Sequence, residues 1–448
     1  MKRTIVIILV IIWGRIGLGQ ATTTPIRWMV NFPVIDWPQN FNKKNPVPSM
    51  QQSLDWSAGM YDLSFWGLQS GMNRLINPTS HPVINKTSSY AAGLMFSKYG
   101  SELPVPLGVW GHEEFHRSVL STYDVTSYNG NWLFERWDGT VFGPSDADLA
   151  QLKQDHLEGL LYSYVSGVQY ETLLTKDQVM ADFYSERTQY KSPLYLYNAW
   201  YVYNYFRFAT STHSDSVKVI APDYESAVDT ERDFAGADLN AWAYDMFLPN
   251  ESFYNRDDFP YGSSENRRVG FHDLPEEAQQ YLVRQKRLAL LNFLNPSIIL
   301  IPRISIGDKL DIMPFMQYNP THFGNAISLI MPFSYSGQGY LLGVHQYGNQ
   351  HVKGYGVEMG VQQLNYQQLS LSITWKIFKQ PYSFDDRETH WGTQGKVQLG
   401  YALNDAFQLC LTTSVKSNGW VEGSPYLDRK IQSQLGIQYR LYAPTLKL

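Results

Sequence analysis

The sequence predicts an α+β protein: a mainly helical stretch from about residue 50 to 295, followed by an antiparallel β-barrel or sheet of about eight strands. Three observations lead there. Apolar residues recur at helical spacing, with start signals, through the first part of the chain. They alternate with small or polar residues through the last third. The composition is rich in rings and glycine (Tyr 31, Trp 13, Phe 22, Gly 33) and only 17% charged, which suits sheets or a membrane boundary where an amphipathic ring keeps one edge wet.

The helical windows are 50–76, 89–99, 105–122, 146–174, 193–209, 240–247 and 275–294. Ser145 stands three residues before Asp148, as a capping box requires, and Pro193 and Pro275 occupy first-turn positions. Residues 193–209, PLYLYNAWYVYNYFRFA, fit either a core helix or one touching a membrane, being too short to span one. The reading is poor between 212 and 271, and no internal repeat stands out.

The alternating segments are 310–318, 325–335, 339–347, 354–364, 368–378, 395–404, 406–416 and 430–442, with 298–306 a possible ninth. In LSLSITWKIF, Leu369, Leu371, Ile373, Trp375 and Ile377 share one face, and Ser370, Ser372, Thr374 and Lys376 the other. Segments of this length, apolar on one face and small or polar on the other, match an outer-membrane barrel. A soluble sheet packed on the helical domain would alternate too. Pro314 and Pro332 count against closure, since each removes a ladder donor. The ending APTLKL also lacks a terminal aromatic residue.

The first twenty residues, MKRTIVIILVIIWGRIGLGQ, read as a cleavable secretory signal, the alternative being a retained anchor. The domain expectation is therefore a signal over 1–20, a helical domain over 21–295 and a barrel or sheet over 296–448. Cys410 is the only cysteine, so no internal disulfide can form, and export without disulfides points to a bacterial outer membrane or periplasm. The two N-x-S/T sequons, at Asn85 and Asn250, do not reverse that. A net charge of −5 without a basic run excludes a nucleic-acid partner. No phosphate-binding glycine loop, nucleophile elbow or dinucleotide fingerprint is present.

The chemistry gathers in GVWGHEEFHRSV, residues 108–119. His112 and His116 are one turn apart, so both rings leave one helix face at the separation a single zinc ion needs. Glu113 lies about 100° round the helix, beside the metal rather than on it.

With its H-E-x-x-H signature read as His112, Glu113, Glu114, Phe115 and His116, the chain resembles the zincin metallopeptidases. The resemblance covers the motif and about sixty residues after it, and departs at Glu114 and Arg117, where zincins carry uncharged residues. It implies Zn2+ as cofactor, Glu113 as general base and a peptide or protein substrate. Val119 and Thr122 exclude the metzincin ligand set. A gluzincin-like solution takes a glutamate from a second helix. Glu171 is preferred, because Ser166 and Gly167 one turn earlier let that helix approach closely; Glu158 and His156 are the alternatives. Asp238, Trp242 and Asp245 fall at helical spacing, and a carboxylate there would orient a ligand histidine or simply cap its helix. The donor that would stabilise a transition state is not identifiable among so many tyrosines. Two functions follow: an envelope zinc peptidase in contact with outer-membrane lipid, or a non-enzymatic outer-membrane barrel with a helical platform.

Overall fold

The computed structural model describes residues 26–41, 44, 46–77, 80–130, 133, 140–185, 191–215, 228–258 and 267–442. The expected signal segment and the tail after Tyr442 lie outside the described residues.

Among the described residues, eight α-helices separate the first strand, β1 (Ile26–Trp37), from most of the others. They are α1 (Met50–Leu75), α2 (Pro82–Lys98), α3 (Leu107–Thr122), α4 (Asp146–Asp155), α5 (Leu157–Tyr184), α6 (Ser192–Ala209), α7 (Asp238–Phe247) and α8 (Glu276–Ala289). A two-residue pair, β2 (Tyr128–Asn129) and β3 (Val141–Phe142), lies among them. The capping box at Ser145 and Asp148 is formed. The expected helix over 146–174 is two helices, broken at His156, whose φ of −147° and ψ of 60° leave the helical region. The second runs ten residues further than expected.

The strands that follow are β4 (Ile304–Ile306), β5 (Leu310–Ile312), β6 (Phe315–Thr321), β7 (Gly324–Tyr335), β8 (Gln338–Gly348), β9 (Lys353–Tyr366), β10 (Leu369–Gln380), β11 (His390–Ala402), β12 (Phe407–Lys416) and β13 (Lys430–Tyr442). With β1 they form one 11-stranded sheet in the order β1-β13-β12-β11-β10-β9-β8-β7-β5-β4, with β6 also on β7. Every pairing is antiparallel. Among the described residues the sheet is not closed, for β1 and β4 stand at its two ends. The expectation of about eight strands undercounts for three reasons: β1, ahead of the helices, also belongs to the sheet, the expected 310–318 segment is two strands, β5 and β6, and the ninth segment is present as β4.

Both troublesome prolines fall at one interruption. Pro314 lies where β5 ends and β6 begins, and Pro332 lies between the β7 residues paired with β6 and those paired with β5. There Met313 donates its N–H to the Pro332 carbonyl at 3.1 Å. Neither proline removes a donor that an unbroken ladder would use.

The polarity of the sheet is reversed relative to a soluble one. Ile373, Trp375, Ile377, Val397, Leu399, Leu409, Leu411, Leu435 and Ile437 are exposed. Their neighbours Ser372, Thr374, Gln398, Cys410, Thr412, Gln434 and Gln438 line a cavity of about 1910 Å³ on the concave side. Helix α5, about 42 Å long at 1.5 Å per residue, runs from the helical domain into that concave face. There Lys176 Nζ lies 2.8 Å from Glu422 and 3.7 Å from Glu358 on β9.

Just ahead of α6, buried Lys191 ties the two halves together: its Nζ is 2.8 Å from Asp62 on α1, 3.1 Å from Asp182 on α5 and 4.7 Å from the Trp28 ring centroid on β1. Lys191→Met would strand two carboxylates away from water. It is expected to cost about 3–5 kcal/mol, read from urea unfolding of the purified protein.

Candidate functional site

Two helices set the site by how closely they approach. On α3, a side chain at Gly111 would meet the Tyr170 ring at 2.2 Å. On α5, a Cβ at Gly167 would lie 2.3 Å from Nε2 of His116 and 2.4 Å from Nε2 of His112. Each helix thus contributes a glycine that receives side chains from the other, and both imidazoles turn their Nε2 atoms toward the α5 backbone.

Their far nitrogens are held. His112 Nδ1 donates to Glu171 Oε1 at 3.2 Å, and His116 Nδ1 donates to the Ser163 carbonyl at 2.5 Å. With both protons placed on Nδ1, the Nε2 lone pairs are left to face each other. Asp238, in the first turn of α7, completes the cluster: its Oδ2 lies 3.7 Å from His112 Nε2 and 3.5 Å from His116 Nε2. The three donor atoms lie within 4.8 Å of one another. Tetrahedral zinc with bonds of about 2.0–2.2 Å holds its donors roughly 3.3–3.6 Å apart, so the two edges to Asp238, at 3.7 and 3.5 Å, already match, while the edge between the imidazoles lies within 4.8 Å.

Glu171 and Asp238 therefore occupy each other's expected places. Glu171 does lie against the histidine helix, but on Nδ1 of His112, the side away from the convergent atoms. Glu158 lies near Tyr123, and His156 is exposed against the same ring, with centroids 5.2 Å apart. Asp245 belongs to a separate buried group, 2.9 Å from Lys153 and 2.5 Å from Arg256. Trp242 donates its indole N–H to the Thr321 carbonyl at 3.1 Å. The charged residues that depart from the zincin pattern satisfy each other, Arg117 donating to Glu114 at 2.7 Å.

Tyr205, which the sequence did not single out, donates its hydroxyl to Asp238 Oδ2. Its ring lies 5.5 Å from that of His112, and Tyr201 stacks on it at 5.9 Å. The signal was present in the YxxxY spacing of α6, but nothing local distinguishes it from the neighbouring aromatics.

Charge in the cluster favours an added cation. Burial lowers His116. Against burial, Glu171, Asp238 and Glu113 lift His112 well above the ordinary imidazole value. Burial pushes Asp238 up, but His116, His112 and the Tyr205 hydroxyl outweigh it and hold the carboxyl below its usual range. Half-buried Glu113 is raised well above the usual carboxylate range, by desolvation and then by Asp238, Asp233 and Glu171. The acids thus stabilise one extra proton on His112, where a dication would replace it.

No family model matches the chain, and no curated protein matches it. Among solved structures, a NanC porin is similar over 31% of this chain and 76% of its own length, at 11% identity and a TM-score of 0.24. At that score the likeness carries no argument about fold or function.

Two substitutions test this geometry. Gly167→Ala puts a methyl group between the Nε2 atoms and is expected to abolish zinc uptake measured on the purified protein, whereas Gly71→Ala, with open space around it, leaves uptake unchanged. Glu171→Gln weakens the hold on His112 and is expected to lower zinc affinity about 10–100-fold in a chelator competition.

Proposed function

We propose that this chain is an outer-membrane β-sheet protein whose inserted helical domain carries a single zinc-class metal centre, ligated by His112, His116 and Asp238. The observation that carries the membrane reading is the reversed polarity of β9 to β13: Val357, Met359, Trp375, Leu399, Leu411 and Ile437 face outward, while serine, threonine and glutamine line the concave side. Apolar side chains exposed over five neighbouring strands make a patch far larger than a soluble monomer usually shows. A location in the outer membrane of an exported chain accords with that surface.

The metal reading is supported by the convergence of three donors with both Nδ1 atoms already engaged. Three protein ligands leave one position open, the pattern of reactive rather than structural zinc. The Asp238 side chain retains 10% exposure, so solvent reaches the cluster. Such an ion polarises a carbonyl and lowers the pKa of water.

A hydrolytic reading is favoured by Glu113. It follows His112 directly, is half-buried, and lies close enough to Asp238, Asp233 and Glu171 for their charges to raise its proton affinity. A carboxylate of raised proton affinity takes a proton from an attacking nucleophile and returns it to a leaving group. Tyr205 keeps Asp238 oriented through its hydroxyl. The amide bond of a peptide is the substrate class the zincin resemblance implies.

Metal analysis of the purified chain is expected to give about one zinc per molecule, bound more tightly as pH rises because the ion displaces the extra proton on His112. Glu113→Gln should retain the zinc and lose about 10²–10⁴-fold in peptide hydrolysis. Zinc retained with no hydrolysis by the native chain would leave a membrane protein with a non-catalytic metal centre; absence of stoichiometric metal at neutral pH would overturn the site.

A further inference from the structure

Helix α2 is turned inside out. Its buried positions, Asn85, Ser89, Gly93 and Ser97, recur every four residues and are small or polar. Its outer face is apolar: Val83 is 73% exposed, Met95 60%, and Ile84 and Leu94 are exposed as well. In water the hydrophobic effect drives the opposite arrangement. Small residues between helices with large apolar residues outward is the pattern helices adopt in a bilayer.

Helix α1 shows a matching stripe. Met60, Leu63, Gly67, Gly71 and Leu75 are exposed at spacings that keep one face of the helix. Asp62 is the sole acid between Met60 and Lys98, and it is buried 2.8 Å from Lys191. Arg74, Lys86 and Lys98 are exposed in that same segment, so its surface charge is wholly positive. Helix α1 also docks directly on the sheet. Trp56 donates its indole N–H to the Pro33 carbonyl of β1 at 3.0 Å, and a Cβ on Gly59 would meet Val30 at 3.0 Å. Further along β1, Phe32, Val34 and Trp37 are exposed.

We propose that the outer faces of α1 and α2 rest in lipid beside β1, as an interfacial pair continuous with the apolar exterior of the sheet, with Arg74, Lys86 and Lys98 against anionic lipid phosphates. The inference rests on the membrane reading of the sheet. Neither helix crosses the bilayer, for no described helix is long and apolar enough to do so. The pair lies in the plane of the membrane, held by apolar burial and by attraction of basic residues to headgroups. Continuity with the sheet and a one-signed charge favour lipid over a second copy of the chain.

Spin labelling of the full chain tests this. In a Cys410→Ser background, single cysteines replace Leu63, Met95, Leu399 of β11 and Glu277, which is exposed on α8. Each labelled protein is reconstituted in phosphatidylcholine–phosphatidylglycerol vesicles, and label accessibility to oxygen and to a water-soluble nickel chelate is compared. The expected result is oxygen access with loss of chelate access at 63, 95 and 399, and the reverse at 277. Chelate access at 63 and 95 with lipid-like behaviour at 399 overturns the inference and leaves the membrane sheet standing. Chelate access at 399 overturns the membrane sheet, and with it the inference that rests on it. Shielding of 63 and 95 from both agents, with spin–spin broadening, means that a second copy covers the face and also overturns the inference.

Discussion

The close approach of α3 and α5 is the constraint on which the rest depends. Gly111 admits the Tyr170 ring and Gly167 admits the two imidazoles, so the helices interlock at two points one on each side of the contact. Interiors are packed like crystals, and a single added methyl group at either point must displace a ring. That contact fixes the rotamers of His112 and His116, brings Ser163 and Glu171 onto their Nδ1 atoms, and leaves Nε2 facing the opening that Asp238 closes. Because α5 continues into the concave face of the sheet and anchors there through Lys176, the cluster is held rigidly relative to the sheet as well.

How much of this was legible depends on whether the signal was local. The alternation of β7 to β13 is legible to within two residues, except that β11 begins at His390 rather than 395, because a face of the sheet is fixed by a period of two and needs no partner to be seen. Strand β1 was missed: Pro33 interrupts its alternation and the register shifts between Pro33 and Ile35, a pattern tolerated because β1 ends the sheet. The break at His156 was also missed, since nothing about a histidine between Asp155 and Leu157 forbids a helix. In the site, the two histidines follow from one turn of helix, and Gly167 pointed to the right contact. Sequence spacing put Glu171 beside the histidines but could not say which nitrogen it would meet. Asp238 lies over a hundred residues from the motif, and only tertiary packing brings α7 to it.

The sheet and helix α2 obey one rule from two sides. In both, large apolar residues face out and small or polar ones face in, and in both the inward polar groups find partners. Asn85 donates to the Ile76 carbonyl at 2.8 Å, and Gln434 donates to Asp36 at 3.1 Å. A surface of that kind is unstable in water and stable against hydrocarbon, where the apolar side chains need no hiding. The buried ion pairs at Lys191 and Lys176 lie where the helical domain meets the sheet, which fixes the register of one half against the other.

X-ray absorption at the zinc edge of the metal-loaded full chain tests the central claim most directly. The geometry requires two imidazoles, identified by their outer-shell scattering, and one carboxylate oxygen, with first-shell distances near about 2.0–2.1 Å and one further light atom. A spectrum with fewer than two imidazoles, or with oxygen donors alone, would contradict convergence of His112, His116 and Asp238 on one ion.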